Sequence, residues 1–185
     1  MIQKLKNWAM TSNKKYLVLI SAIVVFAFVH EGIHALLAII FSEYQSFRVH
    51  PYGLEVIYNT VVAEREGIKW GFISGISNVS TLFFGYCFFL FRAKAESLRS
   101  RFLRNLGYWT TILLMLGDPF NLSIGPFIYG GDINGLVVGF GINKYLLQGV
   151  FFMILIFNRE LIAQKLLPVY GIKTKHLFFR PWLKL

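Results

Sequence analysis

The chain has 185 residues, the length of a single domain. Hydrophobic residues make up 56% and charged ones 15%, a balance that excludes an ordinary soluble domain and fits an integral membrane protein. The net charge of +10 does not point to nucleic acid, because the Lys and Arg lie between and beyond the apolar runs, where they set topology and meet anionic lipid.

The first apolar run is "YLVLISAIVVFAFVHEGIHALLAIIF", residues 16–41. It is too long for a signal peptide and carries no small-residue cleavage site, so it is expected to remain as a membrane span. Next comes "FRVHPYGLEVIYNT", within residues 46–60, where two stretches rich in β-branched and aromatic residues flank a Pro-Tyr-Gly turn signal. That pattern predicts a short hairpin, read from the residues alone as a surface connector or as an edge strand able to pair with an extended peptide. Further spans are expected over residues 68–91, 106–124 and 144–163, the third broken by "GDPFN" at residues 117–121. Cys87, the only cysteine, lies in the second span and has no partner for an intramolecular disulfide.

The expected fold is therefore an all-α integral membrane protein, a single polytopic domain over residues 1–185 with about four transmembrane helices. Basic residues cluster before span one (Lys4, Lys6, Lys14, Lys15), between spans two and three, and after span four. The loops after spans one and three are poor in net positive charge. This alternation places both termini in the cytoplasm, as in the plasma membrane of a prokaryote.

One helical turn of the first span departs from the apolar pattern. His30 and His34 are four residues apart, so a helix sets both on one face, where two imidazoles can bind one metal ion. Glu31 lies beside them, placed to act on a water without being a ligand. This is the H-E-x-x-H arrangement of zinc proteases. The alternative, a polar cluster that joins helices, meets an insertion cost of roughly 2.5–3.5 kcal/mol for one acidic residue at a helix centre.

A zinc site of this kind needs a third protein ligand and one open position. The chain holds only two aspartates, Asp118 and Asp132, both between the third and fourth spans in the Gly- and Pro-rich "GDPFNLSIGPFIYGGDINGL". Either can serve, and His50, a distant glutamate or no ligand at all are the remaining options. Asp132 can also simply N-cap a short helix beginning "INGLVV", and Asp118 can start a turn before Pro119. Asn78 and Asn121 fall inside spans and are expected as interior polar groups, worth about 0.6 kcal/mol each as helix–helix hydrogen bonders.

Three segments together resemble the site-2 protease family of intramembrane zinc metalloproteases. They are "FVHEGIHALLA", then "SGISNVS" with Gly75 and Asn78, then "FNLSIGPFIYGGD" with Phe120, Asn121, Leu122, Pro126 and Asp132. The resemblance implies a metalloprotease-like core of three helices, Zn2+ bound by His30, His34 and Asp132, and Glu31 as general base. It implies a membrane-embedded or membrane-proximal protein or peptide as substrate, presented as a strand on the hairpin, with Asn121 supporting the site or the substrate backbone.

Overall fold

The computed structural model describes residues 12–50, 53–129 and 131–183. Pro51 and Tyr52 of the expected turn, Gly130, and the basic Lys4, Lys6 and Lys184 lie outside the described residues.

Helix α1 spans Ser12–Ile40. It stops in a Schellman closure: Glu43 N–H donates to Ala38 O (2.7 Å) and Ser42 N–H to Ile39 O (3.1 Å), with Ser42 left-handed at φ 59°. The turn feeds the expected hairpin, β1 (Tyr44–His50) and β2 (Gly53–Tyr58), paired antiparallel with His50 opposite Gly53 and Phe47 opposite Val56. Alternate pairs of such a ladder exchange no hydrogen bonds. Val56 belongs to one of them, and its N–H turns away from β1 to reach Glu31 on α1.

Glu43 pins this junction. It is buried, accepts a hydrogen bond from Thr60 N–H (3.1 Å) and an ion pair from Lys69, and so ties the end of α1 to the loop after β2. The Lys69 ammonium holds the Glu43 carboxyl below its ordinary value. A depressed carboxylate lends stability that is complete above its unfolded pKa of about 4.3 and lost as pH falls through the lower folded value. The protection of the Thr60 and hairpin amides, measured against intrinsic exchange at each pH, is thus expected to fall below about pH 4.3, and Glu43→Gln to show that reduced protection already at neutral pH.

Helix α2 covers Ile68–Leu90 and a short α3 covers Arg92–Glu96. Helix α4 is Arg101–Ser123, α5 is Ile133–Phe140, and α6 is Lys144–Leu161, prolonged through a π turn as far as Val169. Among the described residues three helices are long and apolar enough to cross a bilayer: Lys15–Ile40, Ile68–Leu90 and Lys144–Val169. Four were expected. Helix α4 is as long as α2 but carries Thr110, Thr111, Asp118 and Ser123, all buried. It packs against α1, α2 and α6 at once, so protein rather than lipid covers its sides and uniform hydropathy is not required of it.

The surface inverts the soluble pattern. Ile20, Phe28, Leu36, Phe83, Leu146 and Met153 are exposed, while Ser77, Asn78, Thr81, Gln148 and Asn158 are buried. That distribution is compatible with a membrane protein, whose polar groups have to be satisfied internally.

The expected break at "GDPFN" is absent: α4 continues through Pro119 to Ser123. A proline cannot donate to the carbonyl four residues back, here that of Met115. Asn158 of α6 takes its place, donating from Nδ2 to Met115 O at 2.7 Å while its Oδ1 accepts from Tyr86. Nearer the helix end Gln148 donates to Ser123 O at 3.1 Å. Borrowed donors from α6 thus let the helix run on, and the chain breaks only in the 3-10 turn Gly125–Phe127. Asn158→Ala is expected to cost about 1–3 kcal/mol by stranding a buried carbonyl. In a Pro119→Ala background the restored N–H reaches Met115 O, so the loss should shrink; unfolding midpoints in detergent for the four proteins measure the coupling.

Helix α5 lies on α2 through glycines. A methyl at Gly135 would sit 3.1 Å from Trp70 O, and one at Gly139 would sit 3.0 Å from the Trp70 carbonyl carbon and nearer still to the Gly71 backbone. The rings and side chains of α5 fill the space over Gly71 and Gly75 in return, Phe140 against the first and Leu136 against the second. One Gly-x-x-x-Gly repeat, Gly135–Gly139, thus brings α5 to backbone distance of α2, while the other, Gly71–Gly75, makes room for Phe140 and Leu136.

Candidate metal centre

The inner face of α1 presents His30 and His34, both buried. The Nε2 atoms of the two rings lie 3.2 Å apart. Asp132 reaches them from the residue before α5, with Oδ2 3.2 Å from His30 Nε2 and 3.4 Å from His34 Nε2. It occupies the N-cap position of α5 but makes no capping hydrogen bond; its carboxylate is turned to the histidines instead.

These three donors form the metal-binding arrangement among the described residues. Ligands at about 2.0–2.2 Å from a tetrahedral zinc stand roughly 3.3–3.6 Å from each other, close to what the three separations show. Two imidazoles and one carboxylate are a donor set suited to a divalent metal ion. The buried Nδ1 of His34 has no hydrogen-bond partner, which leaves only its Nε2 engaged. The trio can hold a metal ion.

Asp118 lies on the other side of the His30 ring. Its Oδ1 is 3.0 Å from His30 Nδ1, though not aligned for a full hydrogen bond, and its Oδ2 meets the Thr81 hydroxyl. Asp118 therefore orients His30 rather than joining the trio, since a proton on Nδ1 leaves Nε2 with its lone pair toward a metal. Gly117 makes this approach feasible: a methyl there would lie 2.6 Å from the Phe26 ring, which stacks on His30 at 5.8 Å. Ser77 of α2 donates to the His30 carbonyl at 2.8 Å and locks the same turn from a third side.

Both asparagines converge on Asp132. Asn78 Nδ2 lies 3.1 Å from its Oδ2 and Asn121 Nδ2 3.0 Å from the same atom, while Asn121 Oδ1 accepts from the Tyr129 hydroxyl. Both therefore fix the Asp132 carboxylate rather than only bridging helices. The other histidines are elsewhere: His50 pairs with Glu55 on the hairpin at 2.8 Å, and His176 stacks on Phe178 in the C-terminal segment.

Glu31 sits beside the trio, its Oε2 accepting from Val56 N–H of β2 at 3.3 Å. Glu31, His34 and Asp132 line a cavity of about 610 Å³ whose opposite wall is β2 and the loop beyond it. Tyr58 lines the same space, and burial, with the charges of Asp132 and Glu31 nearby, pushes its hydroxyl up. It stays a neutral donor at any physiological pH. Sequence reading missed Tyr58, Thr81 and Asn158. Thr81 had a signal, being three residues after Asn78 on one helix face; Tyr58 and Asn158 had none.

Comparison of the chain with protein-family models, with characterised proteins and with solved structures finds no match.

Proposed function

We propose that the protein is a zinc-dependent intramembrane endopeptidase, built on a core like that of the site-2 protease family. Its substrate is a membrane-embedded or membrane-proximal segment of another protein. The observation that carries this reading is the His30, His34 and Asp132 trio with Glu31 beside it, on a cavity walled by β2. In this reading α4 is a fourth crossing, the lipid bilayer surrounds the bundle, and both termini face the cytoplasm of a prokaryote.

A zinc ion held by the trio would supply Lewis acidity, bringing the pKa of a water to about 7 and polarising a peptide carbonyl. The remaining chemistry belongs to the chain. A substrate segment laid in extended form along β2 offers a carbonyl to Val56 N–H. That exchange frees Glu31 Oε2. Glu31 then accepts a proton from the attacking water and passes it to the amide nitrogen. The water oxygen joins the carbonyl carbon, the C–N bond breaks, and a carboxylate and an amine leave. Asp118 keeps His30 Nε2 aimed inward, and Asn78 and Asn121 do the same for Asp132.

The test uses full-length protein in lipid nanodiscs loaded with zinc, and transmembrane peptides whose helices are interrupted by Gly-Pro pairs. Wild type should bind one zinc and cut at least one peptide. Glu31→Gln should bind zinc equally and cut about 10²- to 10⁴-fold more slowly. Full zinc with no cleavage would assign the chain to a non-catalytic metal-binding scaffold, and wild type without zinc would overturn the site.

A further inference from the structure

The wall of the cavity opposite the metal trio carries one cation among the described residues, Arg65. It stands in the loop between β2 and α2, half-buried, with its guanidinium over the rings of Tyr58 (4.7 Å) and Trp70 (4.4 Å). Its Nε donates to Thr60 O at 3.4 Å. Among the described residues no hydrogen bond or ion pair engages either terminal nitrogen. Of the acidic side chains around it, Glu43 is paired with Lys69, Glu55 with His50 and Asp132 with the histidines, while its chain neighbours Glu64 and Glu66 are exposed.

An arginine used only as a brace closes its fork on a carboxylate or on carbonyls. Here stacking and the Nε bond fix the plane, and the two terminal nitrogens remain available in a shared cavity with Glu31 and His34. A planar fork held in this way matches a carboxylate through two parallel hydrogen bonds. From Val56, where Glu31 touches β2, to Tyr58, on which Arg65 rests, is two residues. On an added strand that step corresponds to about 6–7 Å.

We propose that Arg65 forms a carboxylate-binding subsite, so that the protein selects substrate segments bearing an acidic group within about three residues of the scissile bond. The group is either an Asp or Glu side chain or a free C-terminal carboxylate. This rests on the protease reading for its biological meaning, but binding tests it separately from cleavage.

Fluorescein-labelled apolar peptides are titrated against zinc-loaded Glu31→Gln protein in nanodiscs, with affinity read by anisotropy. One set carries a single Glu stepped along the sequence, with Gln counterparts; each is made with a free and with an amidated C-terminus. The best Glu peptide should bind about ten- to hundredfold tighter than its Gln partner. That preference should vanish when Arg65→Gln is added and fall to an intermediate value with Arg65→Lys, which keeps charge without the fork. If the preference instead follows the free C-terminus, the subsite stands and takes chain ends, as a trimming enzyme would. Equal binding of acid and amide forms, or a preference that survives Arg65→Gln, overturns the subsite. Selective binding together with no cleavage by wild type would sink the protease reading and leave Arg65 in its role.

Discussion

Asp132→Ala is expected to abolish zinc binding, whereas Asp118→Asn should only weaken it, by about ten- to hundredfold. Asp132 supplies a donor oxygen within 3.4 Å of both Nε2 atoms; Asp118 touches the far side of one ring. Removing the first leaves two ligands, too few for a stable site. Removing the charge of the second leaves three ligands, with His30 freer to turn or to change tautomer. His34→Ala should behave like Asp132→Ala. Zinc competition against a chromogenic chelator separates these outcomes. An Asp118→Asn protein empty of zinc, beside a loaded Asp132→Ala protein, would exchange the two roles.

Gly139→Ala is expected to damage the site from the far end of α5. The added methyl would press on the backbone of Gly71 and Trp70, which cannot rotate aside as a side chain can. Helix α5 has to lift from α2, and Asp132, the residue before that helix, is carried with it. Overpacking of this kind costs about 1–3 kcal/mol. Zinc affinity should fall by more than about tenfold, since a ligand displaced by even a fraction of an ångström loses its geometry. Gly149→Ala is the control: its Cβ meets nothing within 4 Å, so zinc binding and unfolding midpoint should stay at wild-type values. Matching losses in both variants would show that α5 does not depend on backbone contact.

The long apolar helices, the hairpin and the histidine pair were legible because each is a local pattern. Long apolar runs, β-branched stretches about a turn, and a four-residue spacing within one helix need no knowledge of distant residues. Where local reading was applied to a non-local question it missed. Pro119 looked like a helix break, yet Asn158, 39 positions on, repairs the carbonyl that the proline strands. The polar α4 fell below the apolarity of a span because three neighbouring helices cover it. The Gly-x-x-x-Gly repeat of α5 was present in the sequence, but its seating on α2 is a property of two helices, not of either.

The third ligand shows the same division. The sequence by itself determined that His30, Glu31 and His34 share one turn of an apolar helix, and it offered Asp118 and Asp132 ahead of His50, a distant glutamate or no ligand at all for completing a site. It left the choice open, because a carboxylate's role depends on which nitrogen of an imidazole it faces, and that is a matter of where other helices stand. Tertiary structure groups Asp132, not Asp118, with the histidine pair. The glycine-tight seating of α5 on α2 brings Asp132 to the two Nε2 atoms, while α4, kept straight past Pro119, sets Asp118 behind His30 at Nδ1.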